Sequence, residues 1–276
     1  MSKLRILYAT SEINPFLCKL NVGNYIRQLP EAMQNRGFEI RILMPRFGLV
    51  NERKNRLHEV VRLSGINISV GEDERPLVIK VASIPQAKLQ VYFIDNEDYY
   101  HRKTLWEKEK GGYHEDNDER AIFFSKGVLE TIRKLGWSPD IIHCNDWITG
   151  YIPMYLKSTY KNNPLFKSSK IIFTVYDNAF DQEFSTKDMF AKIRMDDVQE
   201  DMLKFTENGF NYNTFVKMGA EYADAVTYTG AHSEDIMAHL NALKLEKRVE
   251  QIEEDEHYLD HYNDIYDSLI SELVRV

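Results

Sequence analysis

The sequence predicts an α/β domain: a mostly parallel sheet flanked by helices, with one more helix at the C-terminal end. Three observations carry this. Short apolar, β-branched runs alternate with segments of helical spacing over most of the 276 residues. The first such alternation is a strand–helix–strand unit of the length a right-handed parallel crossover needs. Apolar residues at 43% and charged residues at 28% match an ordinary globular chain, and the length is ample for a real core.

The elements follow in order. Residues 4–9, L-R-I-L-Y-A, read as a buried strand. A loop holding Asn14-Pro15 leads to Val22, Ile26, Leu29 and Met33 at helical spacing, and Gly37 ends that helix. Residues 38–44 form a second strand that stops at Pro45. Over 57–95, the runs V-V-R-L, I-N-I-S-V, L-V-I-K-V-A and L-Q-V-Y-F-I, broken by Gly71, Pro76 and Pro85, read as antiparallel strands at the sheet edge. Residues 96–118, rich in Tyr and charge, read as a surface loop. A helix is expected over 119–135, with Phe123, Val128, Ile132 and Leu135 inward, then a strand at 140–144. A helix at 149–160, a strand at 170–175, helices near 187–205 and 213–222, and a last strand at 225–229 complete the alternation. Ser233 opens a terminal helix. From Leu245 the apolar positions Val249, Ile252, Leu259, Tyr266, Ile270 and Leu273 alternate steps of four and three, with Glu256 and Asn263 in the gaps. This seam over 245–273 predicts either self-association with another copy or partner, or a helix folded back on its own domain. Its shortness and interruptions favour the second. The expected division is thus a domain over 1–238 and a charged terminal helix over 239–276.

Thirty-five Lys and Arg against 43 Asp and Glu give a net charge of −8, which argues against nucleic acid as a partner. No run is long and apolar enough to span a bilayer. Cys18 and Cys144 are far apart, and Met1-Ser2-Lys3 leads directly into a strand rather than an apolar leader, which fits a reducing cytoplasm.

In a parallel sheet, ligands bind beyond the carboxyl ends of the strands, so the loops at 10–23, 145–149, 176–184 and from 230 onward are the candidates. Asn145-Asp146-Trp147 could offer a carboxylate to sugar hydroxyls and a ring to stack. The plainer reading is that Asp146 caps the next helix and Trp147 packs beneath it. His257, His261 and Asp264 share a helix face, and His114-Glu115-Asp116 cluster, but both sit in acidic or polar stretches and read as solvated surface rather than metal ligands. No nucleotide-binding glycine motif or nucleophile–base pair is present.

The chain also resembles the glycogen/starch synthases. The segment Tyr8-Ala9-Thr10-Ser11-Glu12-Ile13-Asn14-Pro15-Phe16 is similar to the family's strand followed by S-E-x-x-P-F. Leu29-Pro30-Glu31-Ala32-Met33, Met44-Pro45-Arg46-Phe47, Tyr92-Phe93-Ile94-Asp95, Asp116-Asn117 with Arg120, the run from Leu135 to Trp147, and Tyr222-Ala223-Asp224-Ala225-Val226-Thr227 follow in the family's order. The match covers about residues 3–238. It implies a Rossmann-like fold, the N-terminal half of a GT-B glycosyltransferase. Such enzymes pass glucose from ADP-glucose to an α-1,4-glucan with retention of configuration and require no metal or other cofactor. The resemblance makes Lys19, Gly23, Asn24, Asn117, Arg120, His143, Asn145, Asp146, Trp147, Tyr176 and Asp177 the ligand-binding candidates, with α-glucan or ADP-glucose as the ligand.

Departures accompany it. The family's K-[TV]-G-G-L-[GA]-D loop has Cys18 for its Lys, with Lys19 beside it. Leu20 and Asn21 replace the paired glycines, and Asn24 replaces the Asp. In H-x-H-D-W the second His is Asn145. In F-T-[IV]-H-N-L the His-Asn pair is Tyr176-Asp177, and the S-P after the last strand is Gly230-Ala231. The family's second domain has no counterpart in these 276 residues. The expectation is a natural single-domain relative that does not transfer glucose unaided, and binds glucan or a partner protein.

Overall fold

The computed structural model describes residues 3–20, 22–193, 196–206, 209–253 and 255–274. In chain order the elements are β1 (Arg5–Ala9), α1 (Val22–Asn35), β2 (Glu39–Pro45), α2 (Glu52–Asn55), β3 (His58–Glu59), β4 (Ile66–Val70), β5 (Asp73–Ile84), β6 (Leu89–Asp95) and α3 (Glu97–Tyr100). Then come α4 (Asn117–Leu135), β7 (Ile141–Asn145), α5 (Tyr151–Lys157), β8 (Lys170–Val175), α6 (Thr186–Ile193), α7 (Tyr212–Tyr222), β9 (Ala225–Tyr228), α8 (Glu234–Leu243), β10 (Arg248–Gln251) and α9 (Tyr258–Val274). The strands join in the order β10-β9-β8-β7-β1-β2-β6-β5-β3, with β4 paired to β5. All pairings from β10 to β6 are parallel. The strands β3, β4 and β5 add antiparallel pairs at one end. The α/β sheet expected from the alternation of elements is therefore the fold.

The central strands are buried on both faces, as parallel strands must be. Residues Ile6–Ala9, Ile141–Asn145 and Ile171–Val175 are at most 2% exposed. Side-chain alternation assigns the two faces. On one, α7 approaches β8 at Gly219, against the Phe173 ring. On the other, Tyr8, His143, Thr174 and Thr227 face α9. Tyr262 of α9 bonds Thr227 (3.1 Å) and Thr174 (3.3 Å), and Tyr266 bonds His143 Nδ1 (2.7 Å) and Tyr8 (2.9 Å). Arg36, just after α1, pairs with Asp267 at 2.8 Å and Lys170 with Glu272 at 2.6 Å, which fixes the exposed side of α9.

Several expectations need correction. The segment from Leu245 is not one helix: Val249 lies in β10, paired parallel to β9, and Ile252 donates its amide to Tyr228. Only from Tyr258 does the chain turn helical, and its apolar side is spent on its own domain, the favoured of the two readings of the seam. β9 is not the last strand, since β10 follows it. The run V-V-R-L forms a turn, and β6 joins β2 in parallel rather than antiparallel fashion. The stretch 96–118 contains α3 and buries Tyr99, Tyr100 and Trp106. The helices expected at 149–160 and 187–205 are shorter, the first ending at Lys157 and the second breaking into α6 and a 3-10 segment at Glu200–Thr206.

Candidate functional site

The strand order reverses beside β1: the chain steps to β2 and β6 on one side and to β7, β8, β9 and β10 on the other. A crevice is expected beyond the carboxyl ends of β1 and β7 at such a point. The loops that follow β1, β7, β8 and β9 meet there.

The loop after β1 is organised by a residue absent from the candidates, Glu12. Its buried carboxylate accepts the backbone amides of Lys19 (2.7 Å), Leu20 (3.0 Å) and Gly23 (3.0 Å). These are amides that the start of α1 and the loop before it leave without helical partners. Burial pushes the Glu12 carboxyl up, against the pull of those three amides. Gly23 fits this loop closely, since a Cβ there would lie 3.0 Å from the Leu17 carbonyl and 3.3 Å from Glu12 Oε1 and would need both to give way slightly. Asn24 is exposed and takes Asn14 Nδ2 at 3.3 Å and Cys18 Sγ at 3.4 Å. Lys19 is exposed. Asn21 lies outside the described residues. The signal for Glu12 was its place in S-E-x-x-P-F, but only the geometry reveals its task.

The second loop carries the strongest departure from ordinary backbone. Asp146 has φ 77° and ψ 156°, a region that costs a non-glycine residue about 1–3 kcal/mol. Its Oδ1 accepts the Trp147 amide and Asn178 Nδ2, both at 2.7 Å. Its Oδ2 is buried with no well-formed hydrogen bond among the described residues. Burial pushes this carboxyl up to about 6, with the nearby Ser11 hydroxyl, Asn178 and the Trp147 amide pulling the other way and Glu12 adding to the rise. The plainer reading of this motif describes the geometry. Asp146 caps a short 3-10 turn at Trp147–Thr149, and the Trp147 ring is buried among Trp106, Phe180 and Phe215 at 4.7–5.0 Å.

Asn145, at the end of β7, and Tyr176, just past the adjacent β8, bond each other. Asn145 donates Nδ2 to the carbonyls of His143 (3.1 Å) and Ala9 (3.3 Å), and its Oδ1 accepts the Tyr176 hydroxyl at 3.0 Å. Tyr176 is 4% exposed and its ring lies 5.7 Å from that of Tyr25, which in turn lies 5.7 Å from Tyr258 of α9. Tyr176→Phe leaves Asn145 Oδ1 buried and unpaired, so we expect a loss of about 1–3 kcal/mol in urea unfolding. The same change in an Asn145→Ala background should cost less, and equal costs in the two backgrounds would show that the pair is not coupled.

Other candidates lie beneath the crevice. His143 is fully buried between Tyr266 and Thr174 Oγ1 (2.7 Å each), and burial holds its imidazole down to about 3, so it is neutral. Asn117 donates to the Trp106 carbonyl (2.9 Å) and to Gln182 (2.8 Å). Arg120 donates Nη1 to the Leu105 carbonyl and to Asn117 Oδ1, and its guanidinium sits 4.9–5.6 Å from the rings of Trp106, Phe47 and Tyr100. Burial lowers it to about 10. Asn117 and Arg120 thus shape the 101–116 wall from within. Asp177 is exposed. It packs on Gly230, whose φ of +71° and 2.6 Å approach to Asp177 Cβ exclude the family's serine without rearrangement.

Between the first loop and the 101–116 wall runs an open groove of about 450 Å³, lined by Lys19, Leu20, Leu49, Leu105, Trp106 and Tyr113 among others. Among the described residues, no three His, Cys, Asp or Glu side chains are placed to hold a metal ion. His114 bonds Thr104, Asp116 pairs with Arg102, and His257 lies 3.8 Å from Asp260. No described helix is long and apolar enough to cross a membrane.

Comparison with known proteins agrees with this geometry. The family model for the starch synthase catalytic domain matches residues 5–247. Glycogen synthase from Chlorobium limicola is 38% identical over 226 residues, covering 82% of this chain and 45% of that protein. Glycogen synthase from Chlorobium luteolum is 37% identical over 235 residues, covering 84% and 47%. The chain thus spans about half the length of the curated relatives it matches. The catalytic domain of starch synthase IV from Arabidopsis thaliana, solved with ADP and acarbose, superposes with a TM-score of 0.72 at 19% identity, over 91% of this chain and 51% of the other. That likeness establishes the fold.

Proposed function

We propose, for a chain that belongs to the starch synthase catalytic domain family, that the crevice at the carboxyl ends of β1 and β7 binds a ligand of glucan synthesis and that the chain does not transfer glucose by itself. The reaction of the family, as the resemblance implies it, passes glucose from ADP-glucose to an α-1,4-glucan, and these are the two ligand classes carried over. The Asn145–Tyr176 hydrogen bond is the observation behind the second half. At both positions the family places a histidine. Here a carboxamide and a phenol satisfy one another, buried, and neither turns a polar group outward to position a reacting sugar. Exposed Asp177 and Lys19 on the loops of the crevice, with the buried Asp146 Oδ2 behind them, suit hydroxyl binding more than leaving-group stabilisation. Free thiols at Cys18 and Cys144 support a cytoplasmic setting.

The test is direct. Purified protein is incubated with radiolabelled ADP-glucose and a maltooligosaccharide primer, and label in the glucan is counted. No incorporation above a protein-free blank is expected. Sustained, enzyme-dependent elongation would overturn the inactivity reading.

A further inference from the structure

We infer that the two ends of the sheet bind each other between copies of this chain, the β3 edge of one molecule against the β10 edge of the next. The strand order leaves β3 and β10 outermost. Both keep open backbone. Val60 donates its amide to the Ile79 carbonyl, so alternation along the antiparallel ladder turns the Glu59 amide and carbonyl outward. Ile252 donates to Tyr228, so the same alternation along β10 turns the backbone groups of Val249 and Gln251 outward. An open edge is a template for another strand.

The flanks of the two edges select the partner. Among the described residues, two large apolar side chains stand out in water, Val61 at 78% and Leu245 at 91% exposure. Val61 follows β3, and Leu245 precedes β10. Arg53, Lys54 and Arg56, before β3, are exposed and form no salt bridge among the described residues, while Glu52 beside them is taken by Arg46 and Lys80. The chain after β10 is the reverse in sign, with Glu253, Asp255 and Glu256 exposed. The order along the chain is thus cations, β3, Val61 at one edge and Leu245, β10, carboxylates at the other. Antiparallel pairing of the two strands sets cations beside carboxylates and Val61 beside Leu245, and takes both apolar side chains out of water. Parallel pairing would set the cations beside Leu245 and Val61 beside the carboxylates. Two β3 edges would bring cations together, and two β10 edges carboxylates. Charge on an edge strand guards it against its own kind, and here it leaves the unlike edge as the complement. The contact is heterologous and adds copies in one direction.

Sedimentation velocity on the purified chain tests this. The mean mass should climb above the 32.4 kDa of one copy as protein concentration rises. The association constant should fall on the order of tenfold between ~0.1 M and ~1 M salt, as screening shortens the reach of the charges. Val61→Asp and Leu245→Asp change exposed positions, so both should fold as the wild type does by circular dichroism, and each alone should stay monomeric. Mixed, they should form a dimer and nothing larger, because each keeps the edge that the other has lost. A single species of one-copy mass up to the solubility limit overturns the inference. Association that either variant leaves intact overturns it too, since an edge would then be binding its own kind or some other surface. A mixture of the two variants that stays monomeric rules out the unlike pairing.

Discussion

A chain that lacks residues 258–274 will not retain a cooperative fold. The helix buries Tyr258, Tyr262, Ile265, Tyr266 and Leu269, each at most 4% exposed, on the open face of β1, β7, β8 and β9. At about 1.5–3 kcal/mol per large buried side chain, the five contribute roughly 7–15 kcal/mol as an upper bound. That equals the whole stability of an ordinary domain, about 5–15 kcal/mol. Deletion also strips partners from Tyr8, His143, Thr174 and Thr227, a polar row that would then meet water on a sheet face built to be covered. The near-ultraviolet circular dichroism should collapse and the thermal transition should broaden or vanish. Had residues 245–273 been a free self-association helix, the same deletion would leave a folded domain and change only the mass seen by light scattering. A sharp transition with wild-type near-ultraviolet signal would sink the view that α9 is part of the core.

These residues also mark where the sequence is opaque. The parallel core was legible because β1, β2, β7 and β8 are short, mostly apolar runs rich in β-branched residues, and β8 is bounded at Lys170–Val175 as the pattern gives it. β10 has one apolar residue, Val249, among Arg248, Glu250 and Gln251, and its pairing with β9 is long-range, so the alternation of four and three steps across it mimicked a helix. The 96–118 stretch misled for another reason. Its tyrosines and charges suggest solvent, but Trp106 and Tyr100 are buried against the Arg120 guanidinium, which has no carboxylate in direct contact among the described residues. At the site, the loops were legible from strand ends alone. The Asn145–Tyr176 bond and the Glu12 cradle were not, since each joins positions with no periodic relation, 31 and 7–11 residues apart.

Asp146 should make the protein less stable as pH rises through the acidic range. Its carboxyl titrates at about 6 in the fold against 3.8 in its ordinary state. Below about pH 4 it is protonated in folded and unfolded chains alike, and burial costs nothing extra. Between the two values the unfolded chain has released its proton while the folded one keeps it, so the unfolded state binds fewer protons and stability falls with pH. Above about 6 both are ionised and the full penalty stands. The gap between 3.8 and about 6, at about 1.4 kcal/mol per pH unit, corresponds to ~3 kcal/mol. Asp146→Asn removes the charge and keeps the Oδ1 acceptor for Trp147 and Asn178, while the new Nδ2 stands where Oδ2 has no well-formed hydrogen bond. Asparagine also tolerates positive φ better than most residues. Urea unfolding at pH 4.5 and pH 7.5 should therefore show a smaller fall in the variant than in the wild type, and at pH 7.5 the variant should be the more stable by about 1–3 kcal/mol. An identical pH dependence in the two proteins would mean that Asp146 is already ionised at low cost.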